Sequence, residues 1–247
     1  MAEKTMRSKL IQRSIVAILI GLAIFGGGIV GTSVLVTGME LDDQVWQIAI
    51  PQIFFLLCSL VGIFVLGKRR FAAYGFQRPQ NWKWLWGIPI GLALGIASSA
   101  FILFSGSSGM AGLKNLGFLQ VVLLVWLLAS TCEEIFVRGL MQSYMAEPGE
   151  PRFRLLIWEV SVPALICALF FAAMHIPALL NGADLPTVLT ILLFTFSLGM
   201  TAGQYRSSSG SLIPPIAVHV AGNIGGVIAG ILFSIYTVLT TGRPPSL

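Results

Sequence analysis

Long apolar stretches separated by short polar segments are the feature that most constrains the fold of this chain. An α-helix needs roughly 20 mainly apolar residues to cross the hydrocarbon layer of a bilayer. Only 10% of the residues are charged and 56% are hydrophobic, whereas about a quarter of the residues of a soluble domain are charged. The sequence therefore predicts an all-α, polytopic integral membrane protein. The seven predicted spans are Ser14–Val36, Val45–Leu66, Trp84–Phe104, Phe118–Leu140, Pro163–Leu180, Thr187–Tyr205 and Ile213–Leu239.

The basic residues predict the orientation of these spans. All of the 15 lysines and arginines except Lys114 and Arg243 fall on one side if the spans alternate in direction. Cytoplasmic loops are enriched in lysine and arginine, so we expect a cytoplasmic N-terminus and a C-terminus outside. The net charge of +5 then reflects membrane topology, and we expect no nucleic-acid partner.

Ionisable residues close the fourth apolar stretch, where they are costly and usually functional. Glu134 and Arg138 are four residues apart and share a helix face, so we expect them to form an ion pair. Glu133 lies about 100° further around the helix. We therefore expect Glu133 to find its partner on another helix.

The remaining buried polar residues suggest one shared site. His175 and His219 are the only histidines of the chain, and both lie in apolar stretches. His219 shares a helix face with Asn223, and His175 shares one with Phe171. Three helices could thus bring Glu133, His175, His219 and Asn223 together.

This set of side chains suits three kinds of site. A glutamate can act as a general base, and histidine and asparagine can donate hydrogen bonds to an oxyanion, which suits hydrolysis. His175, His219 and Glu133 could instead bind zinc. Buried polar residues also mark the ion and substrate routes of transporters. From the residues alone, all three alternatives stay open.

The depth of His175 constrains the fifth helix. A helix that began at Arg154 would carry His175 almost to the far side of the membrane. Because proline is tolerated in the first helical turn, we expect this helix to begin at Pro163, with residues 154–162 along the interface. By residue count Glu133 and His219 lie near the cytoplasmic side, so we expect the site to open toward the cytoplasm.

Three short motifs resemble those of a known family. The sequence reads "EEIFVRG" at Glu133–Gly139, "FAAMH" at Phe171–His175 and "HVAGN" at His219–Asn223. In this order they resemble the EExxxR, FxxxH and HxxxN motifs of the CPBP family, which includes CAAX proteases and bacteriocin-processing enzymes. The resemblance covers about Gly75–Asn223.

The resemblance implies an intramembrane endopeptidase of the plasma membrane of a bacterium or archaeon. Glu133 and His175 would activate water, His219 and Asn223 would stabilise the oxyanion, and Glu134, Arg138 and Phe171 would be supporting residues. Both a zinc enzyme and a metal-free glutamate mechanism fit these residues.

We also expect a particular domain organisation and set of partners, and two alternative functions stay open. We expect one membrane-embedded domain over residues 1–247, with the first three helices peripheral and residues 116–240 as the catalytic core. The expected partners are membrane lipids and a peptide or prenylated-protein substrate, with CAAX-type C-terminal processing as one activity. The alternatives are a non-catalytic partner of a sensor kinase or of a bacteriocin-immunity system, and a small-molecule or proton transporter.

Overall fold

The computed structural model describes residues 2–41, 43–105, 116–147, 150–155, 158–179 and 182–242. These residues form seven α-helices and one β-hairpin. The helices are α1 (Ala2–Gly38), α2 (Gln44–Leu66), α3 (Gly87–Phe104), α4 (Phe118–Met145), α5 (Val162–Ala173), α6 (Leu185–Ser209) and α7 (Ile213–Thr241), and the strands are β1 (Arg152–Leu155) and β2 (Trp158–Ser161). Short 3₁₀ turns lie at Phe71–Tyr74, Lys83–Trp86 and Ile176–Leu179.

The all-α membrane fold is confirmed. Within the described residues, six helices are long and apolar enough to cross a membrane, namely all but α5. The prediction of a full-length fifth span, Pro163–Leu180, is wrong, because α5 ends at Ala173 after 12 residues. At 1.5 Å per residue such a helix is about 18 Å long, too short for a hydrocarbon layer of about 30 Å. Leu180, Lys114 and Arg243 lie outside the described residues.

The start of α5 agrees with the prediction. Ser161 caps the helix by accepting a hydrogen bond from the backbone N–H of Ala164, and Pro163 lies in the first turn. The segment before it, however, forms an antiparallel hairpin in which Arg154 pairs with Glu159. The interfacial position of this segment stays a prediction.

Helix α4 is continuous but contains two π-helical stretches, Val121–Ala129 and Ile135–Gln142. Hydrogen bonds in a π-helix join residues five apart, and π-helical turns are frequent at functional sites. The hydroxyl groups of Ser130 and Ser143 follow this spacing and donate to the carbonyls of Val125 and Arg138 at 3.4 and 2.9 Å.

The ends of several helices meet on one face of the molecule. Arg206 near the end of α6 donates to the hydroxyl of Ser143 near the end of α4 at 2.8 Å. The carbonyl of Ser209 accepts from the backbone N–H of Gln80, just before α3. We call this the arginine-rich face, because Arg13, Lys68, Arg69, Arg70, Lys83, Arg152 and Arg206 lie in or beside the segments that form it.

Helices α3 and α7 run parallel and pack unusually closely through glycines. A Cβ atom on Gly95 would meet the backbone carbonyl oxygen of Gly222, and one on Gly91 would meet that of Val218. Small residues let two membrane helices approach at the backbone. Because α7 carries His219 and Asn223, this contact sets the position of two predicted site residues.

Replacing Gly95 by alanine should lower thermal stability. The new methyl group would meet backbone atoms, which cannot turn aside like the end of a side chain, and overpacking costs about 1–3 kcal/mol. The midpoint of thermal unfolding in detergent measures the effect. The matched control is Gly230→Ala in α7, whose Cβ would have no neighbour within 4 Å and whose midpoint should not fall. Equal midpoints for the two variants would contradict the close packing.

Candidate active site

Glu134 lies at the centre of the site and is completely buried. Its Oε1 atom accepts a hydrogen bond from Arg138 Nη1 at 3.2 Å and another from His219 Nδ1 at 3.0 Å. The predicted ion pair between Glu134 and Arg138 is therefore confirmed. The bond to His219 was not predicted, and it ties α4 to α7 through a single carboxylate oxygen.

Glu133 has its partner on another helix, as expected, but the partner is a residue that sequence reasoning missed. Gln52 of α2 donates from Nε2 to Glu133 Oε1 at 2.9 Å. The second carboxylate oxygen, Oε2, lies 3.9 Å from His219 Nε2. Gln52 is the deepest of three glutamines in α2, after Gln44 and Gln47, so searching the spans for every polar side chain would have found it.

His175 lies in the turn that follows α5. Its Nδ1 atom is 2.9 Å from the carbonyl oxygen of Phe171. Because a carbonyl oxygen only accepts hydrogen bonds, Nδ1 carries the proton. In the neutral ring Nε2 is then free to accept a hydrogen bond, for example from water.

His219 is oriented in the same way by a stronger acceptor. Its Nδ1 donates to the carboxylate of Glu134, so Nε2 is the nitrogen that faces Glu133. For Nε2 to donate a hydrogen bond as well, the ring must be protonated at both nitrogens.

The ring of Phe171 holds these groups together. It makes edge contacts with the rings of His175 and His219, with centroids 5.2 and 5.4 Å apart. The guanidinium carbon of Arg138 lies 4.6 Å from the centre of the same ring, within the range of a cation–π interaction. A single aromatic side chain thus fixes both histidines and the arginine.

Asn223 joins α7 to the first π-helical stretch of α4. Its Nδ2 atom donates to Ser130 Oγ at 3.0 Å and lies 3.5 Å from the carbonyl oxygen of Val125. Ser130 is a second residue that sequence reasoning missed. A lone serine in an apolar helix is common and often bonds only its own backbone, so the sequence contains no signal that singles it out.

Glu133, His175, His219 and Asn223 line one cavity of about 400 Å³. The four residues predicted to converge are thus neighbours around one space. The part of α4 that lines the cavity runs from Val121 to Glu133, away from the arginine-rich face. The membrane surface toward which the site opens stays a prediction.

The residues of the site do not form a metal centre in this arrangement. Among the described residues, no group of three or more histidine, cysteine, aspartate or glutamate side chains is placed to hold a metal ion. Nδ1 of each histidine donates a hydrogen bond, as it does in many zinc-binding histidines. The same hydrogen bond would also orient a histidine that acts as a base or as a hydrogen-bond donor.

Comparison with known proteins gives one match. Residues 115–225 match a family model described as type II CAAX prenyl endopeptidase Rce1-like. This segment is similar to the Rce1-like family. It contains all three motifs and all four residues around the cavity, and it agrees with the resemblance to CAAX proteases. The match supports a CAAX-type intramembrane endopeptidase in general, that is, a hydrolase acting on peptides. No match was found among curated proteins or among solved structures.

Replacing Glu134 by glutamine should strongly destabilise the protein. The change leaves Arg138 buried without its counter-charge, and breaking a buried ion pair costs about 3–5 kcal/mol. The control is Glu147→Gln, which removes the partly exposed partner of Arg13 and should cost no more than about 1 kcal/mol. Unfolding midpoints in detergent compare the two. A midpoint for Glu134→Gln as high as that of the control would contradict a charged Glu134–Arg138 pair.

Proposed function

We propose that this protein is an intramembrane endopeptidase that hydrolyses peptide bonds of membrane-associated substrates without a metal ion. The observation that carries the proposal is the convergence of Glu133, His175, His219 and Asn223 on one cavity within the segment that is similar to the Rce1-like family. A carboxylate, an imidazole acceptor and hydrogen-bond donors around one cavity suit attack by water on a carbonyl group.

In the proposed reaction Glu133 is the general base. Its carboxylate removes a proton from water, while His175 Nε2 accepts the second hydrogen bond of that water. The water oxygen bonds to the carbonyl carbon of the substrate, and the carbonyl oxygen becomes an oxyanion. When the carbon–nitrogen bond breaks, Glu133 returns the proton to the leaving nitrogen, so the products are a carboxylic acid and an amine.

The oxyanion is stabilised by His219 and Asn223. His219 donates from Nε2 as a cation, and the bond from its Nδ1 to Glu134 keeps the ring oriented. In the free protein the Asn223 amide contacts Ser130 Oγ and the carbonyl oxygen of Val125. During the proposed reaction, the N–H that faces Val125, the longer contact, turns toward the oxyanion. Glu134, Arg138 and Phe171 are positioning residues that act through the two histidines.

The substrate class follows from the site and from the family. The cavity lies among membrane-crossing helices, which favours a peptide held at the membrane by an apolar anchor. The family description names prenyl endopeptidases of the CAAX type, and C-terminal processing of a lipid-modified protein is the corresponding activity that we propose to test first.

Replacing Glu133 by glutamine should abolish cleavage without unfolding the protein. Glutamine keeps the size of the side chain and an oxygen for the bond from Gln52, but it cannot take the proton. General-base catalysis contributes about 10²–10⁴-fold, so the cleavage rate of a lipid-anchored fluorogenic peptide in vesicles should fall by this factor. His219→Ala should also lose activity. The control Glu159→Gln changes an exposed glutamate of β2 and should cleave normally. Full activity of either site variant would refute the mechanism.

Removal of metal ions should leave cleavage unchanged. The proposed reaction uses only side chains, so prolonged treatment with a chelator followed by dialysis should not lower the rate. Metal analysis of the same sample, before and after treatment, shows whether any ion was removed. Loss of activity that zinc restores would instead support the zinc site of His175, His219 and Glu133.

A further inference from the structure

We propose that Gln52 of α2 is a positioning residue that holds Oε1 of Glu133 and leaves Oε2 as the atom that takes the proton from water. This inference rests on the proposed peptidase function and deepens it, because it names the oxygen that acts and the helix that orients it. Gln52 is not among the side chains that line the cavity, so it acts through Glu133 and does not touch the substrate.

The two carboxylate oxygens of Glu133 have different surroundings. Oε1 accepts a hydrogen bond from Gln52 Nε2 at 2.9 Å. Because an ionised carboxylate only accepts hydrogen bonds, the amide turns its N–H groups toward Glu133 and not its oxygen. Oε2 lies toward His219, 3.9 Å from Nε2, which is too far for a direct hydrogen bond. Oε2 therefore keeps lone pairs for a water molecule, beside the ring that donates to the oxyanion.

The amide of Gln52 gains a partner only on its nitrogen side. The side chain is buried, and its Oε1 atom has no hydrogen-bond partner among the described residues. A buried acceptor without a partner costs free energy, so an apolar side chain would fill this position at less cost. A hydrogen bond to an ionised group is stronger than one between neutral groups. The bond to Glu133 is thus the interaction that favours an amide here.

Packing between α2 and α4 fixes the level at which Gln52 lies. Phe55, one turn further along α2, is buried, and its ring centroid is 5.4 Å from that of Phe136, one turn beyond the site glutamate. Further along, a Cβ atom on Gly62 would meet the side chain of Leu140 at 3.1 Å. The two helices run in the same direction through these contacts. Gln52 therefore cannot move along α4 without breaking apolar packing.

Helix α2 thereby becomes part of the proposed site. The segment that matches the family model covers residues 115–225, so it includes Glu133 but not its partner Gln52. The sequence predicts that the first three helices are peripheral. The proposed role of Gln52 instead makes one of them necessary for the geometry of the general base.

Replacing Gln52 by methionine tests the role by separating kcat from KM. Methionine has a similar length but no N–H group, so Glu133 is free to turn. For a lipid-anchored fluorogenic peptide in vesicles, kcat should fall by about 10–100-fold, because misplacing a reacting group by 1 Å costs up to about 100-fold. KM should not change, since Gln52 does not line the cavity. The control Gln47→Met makes the same change at an exposed position of α2 and should alter neither constant. Full kcat for Gln52→Met, or an equal loss in the control, overturns the proposal.

Gln52→His separates the lost donor from lost packing. The Nε2 atom of an imidazole is as many bonds from the backbone as the amide nitrogen, and its N–H can donate to Glu133. Gln52→His should therefore have a higher kcat than Gln52→Met, even if both variants unfold at a lower temperature than the unchanged protein. Equal kcat for the two variants overturns the role of Gln52 as a donor.

A double-mutant cycle tests the contact without using catalysis. Gln52→Met should lower the midpoint of thermal unfolding in the otherwise unchanged protein. It should not lower the midpoint in a protein that carries Glu133→Leu, where the amide has already lost its acceptor. The same decrease in both backgrounds overturns the contact on which the proposal depends.

These outcomes are distinguishable from a failure of the proposed function. If Glu133→Gln cleaves at the full rate, the peptidase mechanism is wrong whatever the cycle shows. If Glu133→Gln is inactive but Gln52→Met keeps the full kcat, Glu133 remains the base and the role of Gln52 is wrong.

Discussion

The hydrogen bonds to a single oxygen, Oε1 of Glu134, are the interaction on which the site depends. This atom accepts from Arg138 of its own helix and from His219 of α7. A buried charge is costly unless it is paired and hydrogen-bonded, so Glu134 and Arg138 depend on each other. The oxygen that accepts from Arg138 also accepts from His219 Nδ1, and this second bond sets the tautomer and direction of the ring. One oxygen atom therefore links the stability of the buried ion pair to the orientation of His219. The ring of Phe171 contacts both His219 and His175.

The sequence was informative where buried polar residues are rare. Two histidines and two adjacent glutamates in apolar helices identify the residues around the cavity, and the spacing of Glu134 and Arg138 identifies their pairing. The roles of Gln52 and Ser130 were not foreseen, because one amide or hydroxyl in an apolar helix usually bonds nothing beyond its neighbours. The length of α5 was not foreseen either. Its apolar run continues past Ala173, whereas the helix stops at the turn that carries His175. Hydrophobicity alone therefore does not predict where this helix ends.

The direction in which the site opens also depends on features that residue counting does not report. Counting along α4 places Glu133 nearer the arginine-rich end, which led to the expectation of cytoplasmic access. The π-helical stretch Ile135–Gln142 is nonetheless packed on all sides, while the stretch Val121–Ala129 contains cavity-lining residues and is held to α7 by Asn223. Residue counting thus gives the depth of Glu133 along α4, but it does not report which of the neighbouring stretches is packed.

Hydrolysis in such a site is favoured by how little the total charge changes. In the proposed reaction Glu133 takes a proton from water, so one negative charge disappears from its carboxylate as another forms on the carbonyl oxygen of the substrate. The net charge of the site stays constant, so no new charge has to be solvated within the membrane, where it would be costly. What changes is the position of the charge, which moves by a few ångströms toward His219 and Asn223. A donor fixed in advance stabilises such a displaced charge with little reorganisation, and the bond from His219 to Glu134 provides that fixation for His219.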